Sequence, residues 1–144
     1  MSEFEELVQI VAKLRIECPW DKEQTHESLA KHLIEESYEL LDAISKLDSS
    51  PESFEELKSE LGDVLLQVFF HARMAEEHPT DPFSVEDVAR TVAEKLVRRH
   101  PHVFGDKKVS GSAEVLENWE AQKAAEKGRT SATEGVPLGQ PALA

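Results

Sequence analysis

The sequence predicts an all-α fold. Strand-like alternation is nearly absent over its 144 residues, whereas apolar residues recur at helical spacing throughout. Segments rich in proline or glycine cut the chain into helix-length pieces, and acidic pairs recur three and four residues apart. The length suits one domain with a real core, and the 40% hydrophobic content is enough to build it.

The elements follow in order. A first helix is expected from about Glu3 to Ile16, with Ser2-x-x-Glu5 as its capping box. Cys18-Pro19-Trp20-Asp21 ends it, because proline lacks an N–H and disfavours helix in the residue before it. A second helix starts near Thr25 as N-cap and runs to about Leu47; Asp48-Ser49-Ser50-Pro51 is then a turn. Ser53-x-x-Glu56 reads as the capping box of a third helix that ends near Glu77. After the breaker His78-Pro79-Thr80-Asp81-Pro82, Ser84-x-x-Asp87 opens a fourth helix reaching Arg99. Residues Pro101 to Ser112 are expected to be loop, and a fifth helix follows to about Lys127. The domain is thus placed at residues 1–127, with 128–144 as a flexible C-terminal tail or linker.

Charge narrows the function. Sixteen basic against 29 acidic residues give a net charge of −13, which disfavours nonspecific binding to nucleic acid or to an anionic membrane. No apolar run approaches the roughly 20 residues of a membrane span, and the acidic start Met1-Ser2-Glu3-Phe4-Glu5-Glu6 lacks signal-peptide order. Cys18 is the sole cysteine, so a reduced, cytoplasmic protein is expected.

Two acidic clusters carry the chemistry: Glu35-Glu36-x-x-Glu39 and Glu60-x-x-Asp63. Helical spacing aims at least two carboxylates of each cluster in one direction, and like charges so gathered repel unless a cation sits among them. An all-oxygen donor set suits Mg²⁺, with Mn²⁺ as the alternative, better than zinc or copper. On the third helix Leu57, Leu61, Val64, Leu65, Val68 and Phe69 form one apolar stripe, with Leu66 and Phe70 nearly opposite. Glu60 and Asp63 fall between these surfaces, beside Gln67 and His71. A helix apolar on both flanks is buried on more than one side, and in a chain this small the second surface is expected to meet another subunit. The second helix carries Leu29, Leu33, Leu40, Ile44 and Leu47 as its stripe, flanked by Glu36 and Glu39.

The densest positive run is Lys95-Leu96-Val97-Arg98-Arg99-His100. Its ordinary role is to oppose the dipole at a helix C-terminus; beside a metal site it can instead receive phosphoryl charge. Trp119 and Lys123, one turn apart, share a helix face that suits either a base and a phosphate or the edge of a core. His71 with His78, and His100 with His102, lack a third ligand in sequence and read as hydrogen-bonding residues; Cys18 reads as inert.

Taken together, Cys18-Pro19-Trp20-Asp21, Gln24-Thr25-His26, the two acidic clusters, Arg98-Arg99-His100-Pro101-His102-Val103-Phe104-Gly105 and Asn118-Trp119-Glu120-x-x-Lys123 resemble the MazG family. The resemblance runs from about Leu14 to Lys127. It implies a four-helix-bundle-type fold completed by homodimerisation, or by a higher oligomer. It also implies Mg²⁺-dependent hydrolysis of nucleoside triphosphates to monophosphate and pyrophosphate, as nucleotide-pool housecleaning. By that pattern Glu36, Glu39, Glu60 and Asp63 are metal ligands, and Glu35 orients or deprotonates the attacking water. Lys95, Arg99, Trp119 and Lys123 match nucleotide-contacting positions, with Arg98 adjacent. Many MazG proteins carry two such domains where this sequence shows one, and Gly135 to Ala144 resembles the connector after the first. That departure keeps an alternative in view, a helical dimerisation or regulatory module that binds nucleotide or metal without turnover.

Overall fold

Helices account for all the regular structure over residues 1–127, the part of the chain that the computed structural model describes. They are α1 (Glu3–Glu17), α2 (His26–Ser45), α3 (Pro51–Ala75), α4 (Val85–Arg99), α5 (Pro101–Phe104) and α6 (Ser112–Glu126), with a single 3-10 turn at Asp21–Glu23. The all-α expectation holds. The tail expected at 128–144 lies outside the described residues. No described helix is long and apolar enough to cross a membrane.

Local chemistry sets the starts of these helices. Ser2 and Glu5 form the expected capping box, each side chain bonding the other's backbone N–H. Thr25 caps α2, but the reciprocal partner is Ser28, whose hydroxyl accepts from the Thr25 N–H at 2.8 Å. For α3 the expected box is displaced. Ser50 is the N-cap and Pro51 opens the first turn, where a missing N–H costs nothing. Ser53 therefore lies inside the helix, and its buried hydroxyl donates to Ser50 O. Ser84 and Asp87 cap α4 as expected, with the Ser84 N–H donating to Asp87 Oδ2 at 2.9 Å. Part of the expected Pro101–Ser112 loop is instead the one-turn α5, again begun by a proline at a helix start.

The described residues form two compact units, Met1–Ala89 and 90–127. In the first, α2 packs along α3, and α1 packs on α3 and on the 3-10 turn. Its core is Val11, Leu29, Phe69, Phe70 and Met74, with Leu7, Val8, Leu65 and Val85 packed against it. The stripes drawn on the wheels divide differently in three dimensions. Phe70, assigned to the second surface of α3, is buried with Phe69. Leu61 and Val68, assigned to the main stripe, stay 50% and 41% exposed. On α2, Leu29 is buried whereas Leu33 and Ile44 are exposed.

A long-range clamp closes this unit. Arg15 on α1 donates through Nε and Nη2 to the Glu77 carboxylate, both at 2.9 Å. Its Nη1 donates to Asp21 O at 2.8 Å and Gln24 O at 2.9 Å, which ties the Cys18–Gln24 crossing to the end of α3. The Glu77 pKa is lowered, chiefly by its hydrogen bonds from Arg15.

Candidate metal and phosphate sites

α2 and α3 bring the two acidic clusters together. One carboxylate oxygen from each of Glu36, Glu60 and Asp63 lies within 4.8 Å of the other two. Oxygens around one octahedral Mg²⁺ stand about 3–4 Å apart, given bonds of about 2.1 Å. The three therefore need only a slight contraction to share an ion. The donor set is all oxygen, and none of the three has a described ion pair. Burial raises the Glu60 pKa, and the charges of Asp63, Glu39 and Glu36 raise it further. Glu60 therefore ionises less readily than an ordinary carboxylate, a penalty that a divalent cation at the cluster would relieve. Glu39 lies outside the group of three, close enough for Glu60 to feel its charge. Glu35 is exposed and faces His32, at 3.6 Å from its Nδ1. The His32 ring in turn meets Trp20 edge-on, with centroids 5.6 Å apart.

A histidine pair lies further along the same two helices. His26 opens α2 and His71 sits near the end of α3; their Nδ1 atoms are 2.7 Å apart and the rings stack. One of the two must donate and the other accept, so at least one is neutral. Burial, and then His26, lower the His71 pKa. His71 and His78 are hydrogen-bonding residues, as expected, but with different partners. His78 Nδ1 accepts from the Thr80 and Asp81 N–H groups and shapes the turn after α3. Forty-five residues separate His26 from His71, so no local pattern links them.

The second unit holds the basic and aromatic residues. Arg99 is buried, and its guanidinium carbon stands 5.4 Å from the centroid of the Trp119 ring. His100 meets the same ring edge-on at 5.0 Å, while its Nδ1–H donates to Leu96 O at 2.7 Å. Trp119 is thus wedged between a cation and an imidazole. Arg98 and Arg99 both bond Glu126, a residue the sequence reading gave no role. These two cations hold the Glu126 pKa down to about 2. Lys95 is exposed on α4, and Lys123 is half-buried on α6.

Residues 24–104 match the MazG nucleotide pyrophosphohydrolase domain. This chain belongs to the MazG family. It is 52% identical over 128 residues to the nucleoside triphosphate pyrophosphohydrolase/pyrophosphatase MazG of Thermotoga maritima, covering 88% of this chain and 46% of that protein. It is 49% identical over 143 residues to the nucleoside triphosphate pyrophosphohydrolase of Mycobacterium tuberculosis, covering 97% of this chain and 42% of the relative. Among solved structures, a MazG-related protein from Thermotoga maritima superposes with a TM-score of 0.64 at 27% identity, over 83% of this chain and 97% of the other. The chain spans about half the length of the curated MazG relatives it matches.

Proposed function

We propose that this chain is a metal-dependent nucleoside triphosphate pyrophosphohydrolase, converting nucleoside triphosphate and water to nucleoside monophosphate and pyrophosphate. The observation that carries the reading is the convergence of Glu36, Glu60 and Asp63, with no ion pair among the described residues, in a MazG chain. Hard oxygen donors favour Mg²⁺, with Mn²⁺ second. Glu36, Glu39, Glu60 and Asp63 would hold it. When bound, such an ion neutralises phosphoryl oxygens and lowers the pKa of water.

The side chains supply the rest. Glu35, whose carboxylate is exposed and 3.6 Å from His32 Nδ1, is the residue we assign to orient or deprotonate the attacking water. Lys95, Arg98, Arg99 and Lys123 receive phosphate charge, and Trp119, held against Arg99 and His100, borders the nucleotide site. Exposed apolar side chains on α2 and α3, among them Leu33, Ile34, Tyr38, Leu41, Leu61 and Leu66, support a homodimer formed through this face. We assign the activity to nucleotide-pool housecleaning in the cytoplasm, where the free Cys18 needs no partner.

Incubation with each common ribo- and deoxyribonucleoside triphosphate, with Mg²⁺ or with chelator, tests the reading by product chromatography. Monophosphate and pyrophosphate are expected only with metal. Diphosphate and orthophosphate would overturn the assignment of the cleaved bond. Nucleotide-dependent thermal stabilisation with no product would favour the binding module instead.

A further inference from the structure

One carboxylate at the end of α6 binds two consecutive arginines at the end of α4. Glu126 Oε1 accepts from Arg98 Nε at 2.5 Å; Oε2 accepts from Arg99 Nε at 3.0 Å and from its Nη2 at 2.7 Å. Neighbouring helical side chains diverge by about 100°, and two guanidiniums repel, so α4 alone gives them no reason to converge. The shared carboxylate supplies that reason. It grips both through their Nε edges and carries one negative charge against two positive. Glu94 on α4 adds a second negative charge near Arg98, yet there is no described hydrogen bond at either of Arg98's Nη groups or at Arg99 Nη1. The Trp119 ring lies 5.4 Å from the Arg99 guanidinium carbon and limits its swing.

We propose that Glu126 is a positioning residue, locking Arg98 and Arg99 side by side so that their outer N–H groups face a polyphosphate together. The inference rests on the reading of these arginines as phosphate-receiving residues. A carboxylate bound to the outer edges would compete with phosphate. Bound at the inner edges, it instead removes the entropy and mutual repulsion that phosphate binding would otherwise have to overcome.

The test is calorimetric titration of the full chain with inorganic tripolyphosphate in the presence of Mg²⁺, followed by steady-state hydrolysis. Glu126→Ala is expected to weaken tripolyphosphate binding about tenfold, the scale of one charge-assisted hydrogen bond. Glu126→Gln, which keeps length and one acceptor, should fall between it and the wild type. In an Arg98→Ala/Arg99→Ala background, Glu126→Ala should change nothing further, an outcome that a general structural role would not produce. In hydrolysis Glu126→Ala and Glu126→Gln should raise KM more than they lower kcat. Unchanged or tighter tripolyphosphate binding by Glu126→Ala would overturn the proposal, as would a wild type that binds no tripolyphosphate. A wild type that binds it in a Glu126-dependent way, yet releases no pyrophosphate from any nucleotide, would sink the hydrolase reading and leave this one standing.

Discussion

The acidic cluster on α2 and α3 and the basic cluster in the second unit solve opposite electrostatic problems in opposite ways. Glu36, Glu60 and Asp63 are gathered with no described ion pair, and burial together with the neighbouring acidic charges raises the Glu60 pKa. Arg98 and Arg99 are gathered around an internal counter-charge, and the Glu126 pKa falls to about 2 in response. Like charges can be held together by a stiff backbone, which stores repulsion until an outside ion relieves it. They can also be held by a shared partner, which removes most of the repulsion but keeps a net charge. The first arrangement favours recruitment of a cation; the second favours pre-organisation toward an anion.

The sharpest way to break this contrast is to remove a member of the uncompensated set. Glu36→Ala or Asp63→Ala is expected to lower metal-dependent turnover on the order of 10²-fold or more, as loss of a group acting directly on transition-state charge commonly does. Full activity in both variants, measured by pyrophosphate release, would remove the cluster from the chemistry. Next in size is a compensated pair outside both clusters. Arg15→Ala strips donors from Glu77, Asp21 O and Gln24 O at once. A loss of about 2–3 kcal/mol in urea unfolding is expected, the range for hydrogen bonds that involve a charged group. The Glu77 pKa is lowered in the folded state, so this stabilisation is present above the ordinary carboxylate range and fades as pH falls through the lowered value. Glu126 follows the same sign, its contribution fading toward about pH 2.

The smallest effect sharpens the contrast by reversing a sign. The Glu60 pKa is raised, so between its unfolded and folded values the folded chain binds more protons, and stability falls as pH rises through that window. Glu60→Gln should therefore raise the thermal midpoint of the metal-free protein at neutral pH by about 1–2 °C. It should also abolish the stabilisation that Mg²⁺ gives the wild type. A lower midpoint in the metal-free variant would show that the carboxylate is satisfied rather than repelled.

Much of the fold was legible because much of it is local. The capping residues Ser2 with Glu5, and Ser84 with Asp87, act over three residues, and the breakers around Pro19, Pro79 and Pro82 act on their neighbours. Ser50 rather than Ser53 caps α3 because Pro51 fits the first turn of a helix, a preference that is also local and here outweighs the Ser-x-x-Glu pattern. The one-turn α5 stands where a loop was expected, and Pro101 opens it as Pro51 opens α3. The carboxylates' shared direction could be read from spacing. Their convergence across α2 and α3 could only be surmised, since it depends on how the two helices pack.

By itself, the sequence determined an all-α chain, its helix starts, its negative charge and the family to which it belongs, because helical periodicity, capping and motif spacing are properties of neighbouring residues. Only the tertiary structure decided that Phe70 would be buried while Leu61 stayed exposed, that His26 would meet His71, and that Arg15 would reach Glu77. It alone brought Glu126 to the two arginines. A helical wheel shows which residues share a face, but the partner that face meets is chosen by packing between segments far apart in the chain.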